Sequence, residues 1–246
     1  MFSRASGLGA LLQSAPPASE EGDLALPPSG LGRIFDRDEL VAELRSIAVR
    51  WLAKGSDGSQ FVVEKSPWHL SDLDVIAEIL PEARFVHVIR DGRDVAVSVV
   101  AARSSWSGME QRSPHATVRE VAGLWADAMC RREVARTLLG EPLLEVRYED
   151  VRADPAQASR RLFAHCGMPH DEELVSRAVE ATEFGHEDRP RGEDQPLRAG
   201  QVGQWRERFG MREGWSFERR AGAALERTGY EPDRGWWRHC RLRSRL

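Results

Sequence analysis

The chain has 246 residues, 41% of them apolar and 30% charged, enough for a sizeable core and too apolar for wholesale disorder. A formal net charge of −4 excludes a generic nucleic-acid binder held by bulk positive charge. No run approaches the ~18 uninterrupted apolar residues that a membrane-spanning helix requires.

The first 19 residues, MFSRASGLGALLQSAPPAS, hold one arginine and an apolar run broken by Gly and Gln, a poor signal peptide. Residues 13–33 are rich in Pro, Gly and Ser, so residues 1–33 are expected as a flexible lead-in to a single α/β domain over 34–235. Ile34, Leu40, Leu44, Ile47 and Trp51 recur at helical spacing and predict a helix from about Asp36 to Ala53. Gly55 to Ser59 breaks it, and Phe61-Val62-Val63 reads as a short buried strand. Ser71 and Asp74 resemble a capping box for a second helix, with Leu73, Ile76, Ala77 and Leu80 on one face and Pro81 at its end. Phe85 to Ile89 is a second strand; strand, helix and strand within ~30 residues make a βαβ unit and imply a parallel sheet.

Asp91-Gly92-Arg93-Asp94 then opens a helix whose Val95, Val99 and Ala102 face inward. Another helix is expected over Thr117 to Leu139, and Leu143 to Val146 is a third strand. Asp154-Pro155 starts a helix carrying Leu162, Phe163 and Cys166, which ends at Gly167 with Pro169 beyond. Residues 185–200 read as a charged loop, Val202, Trp205 and Phe209 as a short helix, and Phe217 to Thr228 as the last helix. Residues 236–246 form a basic tail, expected as a frayed terminus. The fold class expected is α/β, three-layered, with a mostly parallel sheet flanked by helices. Cys130, Cys166 and Cys240 are isolated, which argues against a disulfide framework or a zinc site and for a reducing cytoplasm. No acidic cluster has metal-ligand spacing, and none of the candidate chemistry calls for a metal.

Ligands of open α/β sheets gather where strands end, so the residues just after each strand are read first. Glu64-Lys65-Ser66-Pro67-Trp68-His69 follows the first strand, Arg90-Asp91 the second and Arg147-Tyr148-Glu149-Asp150 the third. Lys65, Arg90 and Tyr148 would thus share one rim, able to pair with phosphate or sulfate and to stack a base. Ser98 lies about 10 Å along the helix from Asp91 and would reach an anion on the helix flank. The same spacing also allows Arg90 to pair with Asp94 or Asp150 and Ser98 merely to pack. Of the 35 basic side chains only Lys54 and Lys65 are lysine, so Lys65 stands out, either neutralising charge on a transferring group or pairing with Glu64. An unperturbed imidazole titrates near neutrality, so His69 is a candidate general base, or else it caps or packs at the start of the helix that follows. Trp68, Trp106 and Trp125 line an acceptor pocket or fill the core.

Four blocks in order, EKSPWHL, LPEARFVHVIRDGRDVAVSVV, LEVRYEDVRADPAQASRRLFAHCGMP and RAGQVGQWRERF, resemble the sulfotransferases that use 3′-phosphoadenosine 5′-phosphosulfate (PAPS). The resemblance covers about Phe61 to Tyr230 and implies the P-loop nucleoside triphosphate hydrolase-like sulfotransferase fold. It implies transfer of a sulfuryl group from PAPS to a hydroxyl or amine of a small-molecule, glycan or peptide acceptor, without metal, nucleic acid or membrane. It places Arg90 and Ser98 on the 3′-phosphate, Tyr148 at the nucleotide, and Arg198-Ala199-Gly200 in the Arg-x-Gly loop over the 3′-phosphate. It sets Lys65 toward the sulfuryl group and leaves His69, or more weakly Glu64, as base.

The family opens with a strand and a Pro-x-Ser-Gly-Thr-Thr or Arg-Ser-Gly-Thr-Thr loop, whose backbone amides cradle the 5′-phosphosulfate. Neither string stands here, and GxxxxGKS/T is absent too. Arg4-Ala5-Ser6-Gly7-Leu8-Gly9 comes nearest, without the threonines, and its leading strand would need residues before Met1. A shortened N-terminus is the expectation, ahead of a working degenerate loop. The alternative to a working enzyme is a non-catalytic, sulfotransferase-like nucleotide-binding module. A phosphoryl-transferring enzyme is disfavoured by the missing Walker lysine and threonine.

Overall fold

Asp36 caps the first helix reciprocally: its carboxylate accepts from the Glu39 N–H at 2.9 Å, and the Glu39 carboxylate accepts from the Asp36 N–H at 3.1 Å. That box opens α1 (Arg37–Gly55) in the computed structural model, which describes residues 36–56, 58–66, 69–105, 112–182, 200–231 and 233–240. The expected lead-in over 1–33, the charged loop up to Ala199 and residues 241–246 lie outside the described residues. The frayed tail expected over 236–246 is corrected at its start, where Trp236–His239 form a 3-10 turn and Trp236 and Cys240 are buried in the core, Trp236 against Phe209. The chain divides into two compact units, Met1–Phe85 with Val134–Leu143, and Val86–Glu133 with Leu144–Leu246.

In the first unit α1 buries Leu40 against Val75 and Ile79 of α2 (Leu73–Ile79), with Val41, Leu44, Ala48 and Leu80 packed around them. Ile47 and Trp51, expected on the same face, are 54% and 64% exposed, because the seven-residue α2 covers only one stripe of the longer helix. Arg37 pairs with Glu78 and Arg45 with Glu82, each at 2.8 Å, on the outer surface, where such pairs fix orientation more than they stabilise.

Two expectations are corrected here. Phe61–Val63 is irregular rather than a strand, with Val63 84% exposed. An apolar run becomes a strand only beside a hydrogen-bonded neighbour, and among the described residues it has none. Ser71 does not open α2 with a capping box. A 3-10 turn over His69–Ser71 takes it up, the Asp72 N–H donates to the His69 carbonyl at 2.9 Å, and Asp72 becomes the N-cap without a side-chain bond.

The sheet of the described residues pairs β1 (Phe85–Ile89) with β2 (Leu143–Arg147) in parallel. Parallel neighbours need a long crossover, supplied here by α3 (Gly92–Ser105) and α4 (Pro114–Leu139). Two short elements follow β2: α5 (Tyr148–Ala153), which the sequence did not signal, and α6 (Pro155–His165). Asp154 caps α6 by accepting from the Gln157 N–H at 2.9 Å, Pro155 occupies its first turn, and Gly167 closes it at φ 67°. Then come α7 (Glu172–Thr182), also unforeseen, α8 (Trp205–Arg208), and α9 (Met211–Arg227), which starts six residues before its expected Phe217.

The core of the second unit lies between α4 and α9. Val118, Ala122, Trp125 and Met129 meet Phe217, Ala221, Ala224 and Leu225, all buried. Contacts advance in step along both helices: the Arg220 guanidinium lies 3.5 Å from where a Gly123 Cβ would stand, and Arg227 donates to the Cys130 sulfur at 3.9 Å. The two helices therefore run parallel. Gly92 shows how tightly α3 joins this core, since a Cβ there would sit 2.5 Å from Cδ2 of the Trp125 indole. Gly92→Ala is expected to lower the unfolding free energy by about 1–3 kcal/mol. Urea denaturation checks this; an unchanged midpoint would contradict the packing.

Candidate functional site

β1 hands over to Arg90 through a main chain held on both sides. The Arg90 carbonyl accepts from the Trp125 indole N–H at 3.0 Å, and the Asp91 N–H donates to Glu149 at 2.9 Å. Trp125 is thereby a buried core residue, which removes it from the candidate acceptor pocket; Trp68 and Trp106 lie outside the described residues. The Arg90 side chain donates to the Gln201 carbonyl at 3.0 Å, and its Cζ stands 4.5 Å from the Tyr148 ring centre. Its Nε is buried and has no hydrogen-bond partner. Tyr148, at the start of α5, donates its hydroxyl to the Gly200 carbonyl at 2.8 Å, and Gly200 adopts φ 54°, where glycine is at ease. Arg90, Tyr148 and Gly200-Gln201 thus form one ring of contacts, although Arg90 and Gly200 lie 110 residues apart in sequence.

Asp94 anchors the far side of that ring. Only 1% exposed, it accepts from the Gly203 N–H at 2.6 Å and the Trp205 N–H at 3.0 Å, tying residues 203–205 to the first turn of α3. Burial pushes its carboxyl above the ordinary aspartate range, and the two backbone N–H groups pull the other way. Asp94 is engaged by backbone, and among the described residues Arg90 forms no ion pair with Asp94 or Asp150, although the spacing allowed one. Beside it Arg93, 1% exposed, donates to Asp91 at 2.8 Å and to Glu231 at 2.9 Å, and its Cζ lies 3.8 Å from the Trp205 ring centre and 4.7 Å from that of Trp236. Nothing in the string RDGRD distinguished these two buried residues from surface charges.

A cavity of about 410 Å³ opens against this scaffold. Arg90 and Gly200 contribute to its wall, as do Val97, Ser98, Val100, Ala101 and Ser104 from one face of α3. Pro114 and Val118 of α4, and Gln204, Arg208, Phe209 and Glu213, complete it. Arg90, Ser98 and Gly200 are therefore brought together on one cavity, with Tyr148 bonded to two of its wall segments. Arg198 and Ala199 lie outside the described residues.

Lys65 and His69 belong to the other unit. There Glu64 Oε2 lies 2.7 Å from His69 Nε2, so Glu64 pairs with the histidine and not with Lys65, which is exposed. Such a carboxylate fixes the orientation of the imidazole. His87, inside β1, has its Nδ1 3.6 Å from Glu145, and burial holds its pKa below the ordinary value. Among the described residues no group of three His, Cys, Asp or Glu side chains is placed for a metal ion, and no helix is long and apolar enough to cross a membrane.

Comparison with known proteins converges on one group. Residues 32–172 match the model of the Sulfotransferase family. The omega-hydroxy-beta-dihydromenaquinone-9 sulfotransferase Stf3 of Mycobacterium bovis is 29% identical over 111 residues, 44% of this chain and 29% of its own length. Protein-tyrosine sulfotransferase 1 of Danio rerio is 24% identical over 148 residues, 57% of this chain and 41% of its own. The matches thus span less than half of either relative. The crystal structure of mouse sulfotransferase SULT7A1 complexed with PAP superposes with a TM-score of 0.52 at 14% identity, covering 62% of each chain, and shows that the fold is shared.

Proposed function

The chain belongs to the sulfotransferase family, and from that premise we propose that it transfers a sulfuryl group from PAPS to the hydroxyl or amine of an acceptor. The observation that carries this reading is the cavity wall shared by Arg90, Ser98 and Gly200, three positions of the family's 3′-phosphate site. The buried Arg90 Nε lacks a partner, and a buried cationic donor is costly unless an acceptor meets it; a phosphate oxygen is such an acceptor. A solved relative in complex with PAP supports the same donor.

In this reading Arg90, Ser98 and the Arg198-Ala199-Gly200 loop hold the 3′-phosphate, and Tyr148 packs near the adenine. PAPS supplies the activated sulfuryl group. Lys65 stabilises negative charge that grows on the sulfuryl oxygens and leaving phosphate, and His69 takes the acceptor proton while Glu64 holds its ring. The names of the two relatives, an omega-hydroxy compound and a protein tyrosine, both point to a hydroxyl acceptor.

Lys65→Ala is expected to lower kcat by about 100-fold or more while PAP affinity falls far less, as for an interaction made mainly in the transition state. Equal losses in the two would contradict that role. The proposal itself is tested by labelled PAPS offered with a panel of hydroxyl and amine acceptors, beside calorimetry with PAP. Transfer supports it. PAP binding without transfer to any acceptor points instead to a non-catalytic nucleotide-binding module, a reading favoured by the unrecognisable 5′-phosphosulfate loop. Binding of ATP in preference to PAP overturns both.

A further inference from the structure

The parallel packing of α4 and α9 sets their N-terminal halves side by side. A second cavity of about 330 Å³ lies there, lined by His115, Arg119, Trp215, Ser216, Arg219 and Arg220. Among the described residues no carboxylate lines it. The acidic neighbours in sequence are engaged elsewhere: Glu120 by Arg103 at 2.9 Å and Arg112 at 3.1 Å, and Glu218 by the Trp236 indole N–H at 2.7 Å and Arg234 at 3.5 Å. Among the described residues Arg119, Arg219 and Arg220 therefore have no anionic partner, in a chain whose net charge is −4. Arg219 lies with its Cζ 4.9 Å from the ring centre of Trp215, which is 44% exposed. A second observation is independent of the arginines: the Nδ1 of His115 is buried and without a hydrogen-bond partner.

We propose that this cleft is a second anion site, separate from the Arg90 cavity, for a phosphate or sulfate ester carried on a ring that packs against Trp215. Three guanidinium groups facing one cavity repel one another, and a tetrahedral oxyanion relieves that repulsion while accepting paired N–H donors. The exposed indole face offers an apolar surface for the carrier ring, with Arg219 already fixing its orientation. The shared chemistry is the oxyanion; its source is either a phosphorylated metabolite or a sulfated compound.

Glucose 6-phosphate and glucose 6-sulfate, titrated into the full chain at low ionic strength, separate the sources. Saturable binding of either is expected, weakening as salt is raised. Tighter binding of the phosphate ester assigns the site to phosphorylated ligands and tighter binding of the sulfate to sulfated ones. The Arg119→Gln/Arg219→Gln double variant, exposed positions whose replacement leaves the core intact, should bind about tenfold more weakly or worse, while Arg90→Ala should bind as the parent does. Absence of saturable binding for both esters, binding that survives the double variant, or binding lost in Arg90→Ala would each overturn the proposal. None of these results depends on sulfuryl transfer, so they leave the reading of the Arg90 cavity untouched.

Discussion

Replacing Arg93 with alanine is expected to lower the unfolding free energy by about 3–5 kcal/mol, the usual cost of removing one partner of a buried ion pair. For a chain of this size that corresponds to a fall of roughly 10 °C in Tm. Arg93 is 1% exposed and meets Asp91 and Glu231, whose side chains are 10% and 18% exposed. Without the guanidinium two carboxylates stay half-desolvated and unneutralised, and the Trp205 and Trp236 rings lose the group between them. The Tyr230 carbonyl, which accepts from Arg93 at 3.1 Å, loses its donor as well. Arg93→Lys should recover only part of the loss, because an ammonium cannot span Asp91 bidentately and stack on the indoles at once. Urea denaturation of the two variants decides the matter: a loss under about 1 kcal/mol for alanine would mean that the network relaxes or fills with water.

Arg90→Ala should act on binding rather than on folding. Its side chain is partly exposed, and what it holds directly is one carbonyl, that of Gln201, and one face of Tyr148. Its removal from a charge-assisted contact with a phosphate should cost about 2 kcal/mol or more in PAP affinity, roughly 30-fold. Asp94 keeps its two backbone donors in the variant, so the segment around Gly203 stays anchored and Tm should move little. Calorimetry and a thermal melt on the same sample separate the effects. A large fall in Tm with unchanged affinity would make Arg90 a structural residue.

Some of this was legible in the sequence for local reasons. β1 was readable to the residue because FVHVI is apolar and β-branched between polar neighbours, and α6 because Asp154-Pro155 and Gly167 mark both of its ends. Phe61–Val63 misled because composition reports that a run is apolar and not whether a neighbouring strand exists to pair with it. α5 is six residues long and α7 fully buries Val175 but little else, so neither presents a wide apolar stripe. The identities of Arg90, Ser98, Tyr148 and Gly200 came from the order of the four blocks, and the closure of Arg90, Ser98 and Gly200 onto one cavity required the fold. Asp94 was not legible at all. Its partners, the N–H groups of Gly203 and Trp205, lie 109 and 111 residues away, and an aspartate in the first turn of a helix is ordinarily a solvated dipole partner.

Calorimetric comparison of PAP with adenosine 5′-phosphate, which differs by the 3′-phosphate alone, tests the assignment of the Arg90 cavity most directly. The parent chain should bind PAP at least about 30-fold more tightly, and Arg90→Ala should bind the two nucleotides within a few-fold of each other. Equal affinities in the parent, or a preference that survives in Arg90→Ala, would contradict it.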